Sequence, residues 1–282
     1  MSEIVDYRRA NTIQEACELL EQPSTRVIAG GTDILLRRTR MNGDLILVDI
    51  NPIHELEGIR QETDGIRIGA MTRLADVARA EIFQQAAYQA LVQGAVQVGS
   101  PQIRNLGTIG GNLCNAAPSA DTAAPLLALD AVAEIASRKG TRTLPFADFF
   151  VGPGKTVLGQ GEMLTSVFIP TPVEGTKSVY FKHSPRRAMD LAFVGVAVVL
   201  KSAAKQQVSI ALGAVAPTPI RVPKAEQLIQ KSGKVTVEVL TEAARISADA
   251  ARPISDVRSS AAYRIEMINA LTLRGLRQMF EC

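Results

Sequence analysis

The sequence predicts an α+β protein in two unequal parts. A larger N-terminal domain, itself of two pieces, precedes a smaller α+β C-terminal domain with a three-stranded sheet and helices. Three observations predict it. Residues 26–50 read strand, glycine turn, helix, strand, the size of a mononucleotide-binding unit. After Lys177 the pattern becomes three strands followed by three helices, which suggests a sheet backed by helices. Between them lies Pro170-Thr171-Pro172-Val173-Glu174-Gly175, the strongest linker signal in the chain. The expected boundaries are 1–174, with subdomains of about 1–58 and 59–174, and then 176–282.

Each element has a local reason. Thr12-Ile13-Gln14-Glu15 is a capping-box pattern; it opens a helix with Ile13, Ala16, Leu19 and Leu20 on one face, and Pro23-Ser24 ends it. Residues 26–29 form a short strand, 34–40 a helix-like piece and 45–50 another strand. Residues 66–70 read as a strand. Thr72 is expected to cap a helix carrying Leu74, Val77 and Ala78, and a second helix is expected over 82–96. Residues 102–125 show neither helical period nor alternation and read as a long loop. A short helix at 126–129, a hairpin of Val132–Ser137 with 141–144, a tight turn at Gly152-Pro153-Gly154-Lys155 and a strand at 163–169 complete this part. In the C-terminal part, 178–183, 192–201 and 207–215 read as strands, and 224–230, 235–251 and 259–280 as helices. The longest apolar run, residues 191–200, is expected to be a buried strand.

Composition bounds the function. With 46% hydrophobic and 21% charged residues the chain is ordinary for a globular protein, and a net charge of +3 gives no argument for nucleic acid. The charge is unevenly spread: from Lys177 onward there are 16 basic and 8 acidic residues, net +8, against net −5 before it. That excess reads chiefly as a solvated surface, with room for a dianionic ligand. Cys17, Cys114 and Cys282 are too few and too far apart for a cluster or disulfide framework, which fits a reducing, cytoplasmic setting. His54 and His183 are the only histidines, so a metal site on this chain is not expected. No apolar run reaches the length of a membrane span, and the first residues lack a signal-peptide profile.

Two stretches carry chemistry. QIRNLGTIGGNLCNAAPSADTAAP, residues 102–125, removes side chains at Gly110-Gly111 and supplies short polar groups at Thr108, Asn112, Asn115, Ser119 and Asp121. Successive backbone N–H groups in such a turn make an anion-binding concavity, so a phosphate is the natural guest; a plain surface loop fits equally well. Upstream, Val27, Ile28, Ala29, Gly30, Gly31, Thr32, Asp33 and Ile34 form a second side-chain-poor bend after a strand. It is not G-x-G-x-x-G and has no Walker lysine, so neither the Rossmann nor the P-loop reading applies.

Together the two stretches resemble the FAD-binding subunit of the xanthine dehydrogenase and carbon monoxide dehydrogenase family of molybdenum hydroxylases. GPGKT (residues 152–156), FKHSPRRAMDLA (181–192) and VAPTPIR (215–221) extend the resemblance over essentially the whole chain. It implies a two-part FAD-binding domain of the PCMH or vanillyl-alcohol-oxidase type, then a smaller domain closing over the flavin. It also implies FAD held non-covalently, with the molybdenum cofactor and [2Fe–2S] clusters on partner subunits. Electrons would pass from a small iron–sulfur subunit, fed by a large molybdenum subunit, to FAD and then to NAD⁺ or another acceptor.

The resemblance carries over residue by residue. The bend from Val27 to Ile34 matches the first FAD loop; Gly30, Gly31 and Thr32 would face the diphosphate, with Asp33 in a backbone or turn role. Thr108, Ile109, Gly110, Gly111 and Asn112 match the second loop. Asp121 matches a cofactor-holding carboxylate whose sensible partner is a ribose or ribityl hydroxyl, and it also suits a helix cap. Leu164 would supply an apolar wall beside the isoalloxazine. Lys182 would place positive charge near its pyrimidine end, or point to water. Arg186 and Arg187 with Asp190 suit either a loop-anchoring pair or the acceptor site. Cys114 reads as a small packing residue. No side chain is assigned a catalytic proton transfer. Two departures stand out: there is no cysteine-rich insertion, and Val98 stands where some relatives place an aromatic residue. Two other readings remain open, a self-contained flavin reductase like the enolpyruvyl sugar reductases and a binding module without FAD.

Overall fold

The structure is a computed structural model that describes residues 3–37, 43–186 and 188–281. It begins with a parallel three-stranded sheet in the order β1-β3-β2, made of β1 (Ile4–Arg9), β2 (Thr25–Ile28) and β3 (Leu45–Asp49). Parallel neighbours require crossovers. Helix α1 (Ile13–Leu20) makes the first, and α2 (Ile34–Arg37) follows the first glycine bend in the second. The expected helical piece at 34–40 continues outside the described residues. Thr12 does cap α1, its hydroxyl accepting from Glu15 N at 3.1 Å, but Glu15 closes back on Asn11 N at 2.7 Å rather than on Thr12. Ala16, Cys17 and Leu20 of α1 bury against Val48, Ile50, Met71 and Met163.

The second piece is an antiparallel five-stranded sheet in the order β4-β5-β10-β6-β7. It contains β4 (Ile59–Glu62), β5 (Gly65–Gly69), β6 (Val132–Ser137), β7 (Gly140–Pro145) and β10 (Met163–Pro170). A small hairpin, β8 (Phe150–Gly152) with β9 (Lys155–Thr156), stands beside it. Short helices cover the sheet: α3 (Leu74–Arg79), α4 (Gln89–Val96), α5 (Pro101–Leu106), α6 (Ile109–Cys114) and α7 (Ala123–Ala128). Phe83, Phe146 and Phe149 are fully buried in this core, each stabilising the fold by roughly 1.5–3 kcal/mol.

Three expectations fail here. Residues 102–125 are not a long loop but hold α5, α6 and the start of α7, because Ser100 and Thr108 cap the first two helices and small residues let them pack. A Cβ on Gly110 would stand 2.7 Å from the Ala70 carbonyl oxygen, so only glycine lets α6 lie this close to the end of β5. Residues 82–96 are not one helix: extended backbone at Gln85 separates two 3₁₀ turns, and α4 begins only at Gln89. Thr72 does not cap α3, since its hydroxyl donates to the Gly58 carbonyl at 2.9 Å.

The C-terminal part is an antiparallel sheet of four strands rather than three, β11 (Lys177–His183), β12 (Val194–Ser202), β13 (Gln207–Gly213) and the two-residue β14 (Ile220–Arg221). Its helices are α8 (Pro223–Lys231), α9 (Val237–Ala250) and α10 (Ala261–Phe280). Alternation along β12 splits its side chains between two cores. Val196, Val198 and Leu200 pack with Leu240, Ile268 and Leu276 of the helices, while Ala197 and Val199 join the core containing α4 and α7. Burial on both faces explains the unbroken apolar run. Among the described residues no helix is long and apolar enough to cross a membrane.

Polar staples join this sheet to the N-terminal part. Ala90 N donates to Ser178 Oγ at 2.9 Å, Tyr180 N to Gln93 Oε1 at 2.7 Å and Ala214 N to the Pro118 carbonyl at 2.7 Å. Arg221 binds Ser209 of β13 and Glu226 of α8 within the C-terminal part, and across the junction the Leu127 carbonyl and Asp130 at 3.2 and 2.6 Å. Burial acts to raise the Asp130 carboxyl, but Lys201 and Arg221 outweigh it and hold the group below its ordinary value.

Two outcomes follow for the junction. Replacing Arg221 by Met leaves Glu226 and Ser209 without their shared donor and is expected to cost about 2 kcal/mol in chemical denaturation. An unchanged midpoint would remove this role. Because the folded state holds the Asp130 proton less tightly than the unfolded chain, its contribution is present above the unfolded value of about 3.9 and is lost as pH falls below it. D130N should therefore flatten the acid limb of the stability–pH curve, which unfolding midpoints taken across that range would read.

Candidate functional site

A cavity of about 690 Å³ opens between the parallel sheet, helices α5 and α6, and the segment that leads from β9 into β10. Both glycine bends line it. Two contacts bring them together. A Cβ on Gly30 would lie 1.9 Å from the Leu106 carbonyl oxygen, so the first bend touches the end of α5 directly. Asn115 Nδ2 donates to Asp33 Oδ2 at 3.0 Å, tying the residue after α6 to the first bend. Gly31 has φ +70, a left-handed conformation that glycine adopts without steric cost.

The two bends differ in what their backbones offer. The N–H groups of Gly30, Gly31, Thr32 and Asp33 make no hydrogen bond to another described residue. In the second bend, those of Ile109 to Asn112 are used within the protein. Ile109 N donates to the Thr72 carbonyl at 2.9 Å, Gly110 N to Ala70 at 2.8 Å and Asn112 N to Thr108 at 3.0 Å. Gly111 N donates to Thr108 Oγ1 at 3.0 Å. A Cβ on Gly111 would meet nothing else within 4 Å, so this glycine keeps the cavity wall open rather than serving a packed contact.

Of the residues expected from the sequence, Val27, Ala29, Gly30, Gly31, Thr32, Asp33, Ile34, Thr108, Gly110, Gly111, Asn112 and Leu164 line this cavity. Ile28 ends β2 just behind it, and Ile109 is fully buried beneath it. Asp121 and Lys182 lie outside the lining and face each other: Lys182 Nζ donates to Asp121 Oδ2 at 2.7 Å, with both side chains 6% exposed. Lys182 is thus neither a cavity side chain nor a strand lysine in water. Thr122, adjoining Asp121, donates from Oγ1 to Asn112 Oδ1 at 2.6 Å, so this buried pair adjoins the cavity wall. Asp121 does not cap α7, which has no side-chain cap.

Other wall residues had weaker sequence signals. Gln160 Nε2 donates to the Leu20 and Gln22 carbonyls at 3.1 and 2.6 Å, pinning the 157–162 segment to the end of α1. Gly161 turns that segment at φ +76; only the Gly159-Gln160-Gly161 spacing hinted at it. Glu162 is neutralised by Arg142, two contacts of 2.8 Å each. Of the cations in the lining, Lys155 is exposed and has no partner among the described residues, while Arg26 donates to its neighbour's carbonyl at Thr25. Cys114 is half-buried in the wall, and burial pushes its thiol up to about 12, so it stays protonated and unreactive. Val98 lines the cavity as well. Arg186 pairs with Asp190 at 3.2 Å; Arg187 lies outside the described residues.

Comparison with known proteins places this geometry. Residues 3–172 match the family described as FAD binding domain in molybdopterin dehydrogenase, and residues 179–279 match the CO dehydrogenase flavoprotein C-terminal domain. The chain is 38% identical over 286 residues to a xanthine dehydrogenase FAD-binding subunit of Escherichia coli, covering 99% of this chain and 97% of that one. It is 33% identical over 280 residues to the carbon monoxide dehydrogenase medium chain of Hydrogenophaga pseudoflava, covering 96% and 95%. The solved structure of the carbon monoxide dehydrogenase from that organism superposes with a TM-score of 0.93 at 32% identity, over 100% of this chain and 99% of the other. With both domains matched across nearly their whole length, this chain belongs to the FAD-binding subunits of the xanthine dehydrogenase and carbon monoxide dehydrogenase family of molybdenum hydroxylases.

Proposed function

We propose that the cavity holds one FAD non-covalently and that the chain passes electrons from iron–sulfur clusters on a small partner subunit to NAD⁺ or another acceptor. A large molybdenum subunit would supply those electrons by oxidising the substrate. In this division, residues 1–174 hold the cofactor and 176–282 close over it. The observation that carries the reading is the run of four backbone N–H groups, Gly30 to Asp33, that have no partner among the described residues and lie in a cavity wall. An amide run of this kind is a ready anion site, and a diphosphate satisfies it. The relatives' names support the rest, since a medium chain implies a larger and a smaller companion.

The residues divide the work. Gly30 to Asp33 donate to the diphosphate, and Lys155 adds a nearby positive charge. Gly111 and Asn112 form the opposite side of the approach, with Gly111 leaving the space. Thr108 spends its hydroxyl on Gly111 N, so the second bend contributes shape and side-chain polarity more than backbone donors. Leu164 and Val98 offer apolar surface to a flat ring. FAD when bound supplies exchange of electrons singly or in pairs, which lets the chain join a one-electron donor to a two-electron acceptor. Asp33 stays with Asn115 and keeps its carboxylate off the phosphates.

The purified protein should show flavin absorbance bands near roughly 370 and 450 nm, extractable without proteolysis because no covalent link is made. A colourless protein that takes up no added FAD would end the reading. Gly111→Val projects its side chain into the cavity and is expected to abolish FAD uptake, with a small drop in the apoprotein's unfolding midpoint because its Cβ also presses on the Thr108 cap hydroxyl, 3.0 Å away; normal occupancy would place the cofactor elsewhere. Gly30→Ala acts more on the fold. Its Cβ collides with the Leu106 carbonyl, so both FAD uptake and stability should fall, the latter by about 1–3 kcal/mol in a denaturant titration.

A further inference from the structure

The buried charge cluster beside the cavity has a member with no assigned role. Asp121 Oδ1 accepts from the Tyr180 hydroxyl at 2.9 Å, while Oδ2 accepts from Lys182 Nζ at 2.7 Å. Lys182 Nζ also donates to the Gln97 carbonyl at 3.0 Å. Tyr180 and Lys182 are two apart on β11 and share one face of the strand. Tyr180 is itself held: its backbone N–H is bound by Gln93, and its ring lies over Gly195, where a Cβ would come within 2.6 Å of the hydroxyl oxygen.

A buried ammonium–carboxylate pair is under pressure to neutralise itself by passing its proton to the carboxylate, because burial disfavours both charges. Hydrogen bonds to the carboxylate oppose that transfer. Here burial pushes the Asp121 carboxyl up, and Lys182 and Tyr180 pull in the other direction. Burial and the neighbouring Asp121 raise the Tyr180 hydroxyl well above its usual value, so it remains a donor throughout the working range. Without Tyr180, Lys182 would be the one side chain among the described residues that holds Asp121.

The cluster reaches the cavity at two points. Gln97 precedes Val98, a wall residue, and Thr122 next to Asp121 bonds to Asn112, another. We propose that Tyr180 is a positioning residue of the cofactor site: its bond to Asp121 Oδ1 fixes that carboxylate, and so keeps the Lys182 amine end clamped between Asp121 Oδ2 and the Gln97 carbonyl behind the Val98 wall. This rests on the FAD reading above. Because the Lys182 end of this ion pair is the end held on Gln97, next to Val98, the pair's dipole favours negative charge on a ring against that wall and so raises the midpoint potential of the bound cofactor.

The test is a spectroelectrochemical titration of the FAD-loaded full chain as wild type, Y180F, K182M and the double variant. Y180F should keep its flavin bands and show a lower midpoint potential than wild type. K182M should lower the potential at least as far. The double variant should match K182M alone, because Tyr180 acts only through Lys182. An unchanged potential in Y180F, or shifts of the two single variants that simply add, would overturn the proposal. If wild type takes up no FAD, the cofactor reading itself has failed, a distinguishable result. Should Y180F not fold, G195A displaces the hydroxyl while retaining the tyrosine. The same downward shift is expected there, and its absence would equally count against the role.

Discussion

The structure depends on one close approach, the contact between the backbone of Gly30 and the carbonyl of Leu106. The two residues come from different parts of the N-terminal domain: one follows β2 of the parallel sheet, the other ends α5 in the helical layer over the antiparallel sheet. With 1.9 Å separating that carbonyl oxygen from where a Cβ would stand, no side chain can be accommodated there. The contact holds the first glycine bend against the helical layer and so sets the width of the cavity. The Asn115–Asp33 bond closes the same seam from the other end.

Within that seam the chain separates two tasks that a glycine-rich sequence leaves merged. In the first bend, the N–H groups of Gly30 to Asp33 have no partner among the described residues and stand half-buried or exposed at the cavity wall. In the second bend, the N–H groups of Ile109 to Asn112 are satisfied through Thr72, Ala70 and Thr108, which fixes it as a wall.

The C-terminal sheet is the other governing constraint. Because β12 is buried on both faces, it cannot shift without opening two cores at once, and the strands beside it inherit that rigidity. Tyr180 and Lys182 ride on β11, its neighbour, and so meet Asp121 in fixed geometry. A buried ion pair between two layers is seldom a large source of stability.

Much of this was legible in the chain. The apolar run of β12, the hairpin of β6 and β7, the three C-terminal helices and both glycine bends each follow from local pattern, and the paired motifs carried the family. Other features were not. β1 alternates half-buried and exposed residues, including Arg8 and Arg9, and offered no apolar signal; α6 hides two glycines behind a Thr108 cap. Local sequence determined which segments could bend, extend or coil, because those preferences arise from neighbours a few residues apart. Which amides stay unpaired, and that Asp121 is met by Lys182 and Tyr180 rather than by solvent, was decided by tertiary structure alone. Those partners stand about sixty positions away in sequence, and the packing of β11 against α4, with α7 against β12 and β13, brings them within hydrogen-bond reach.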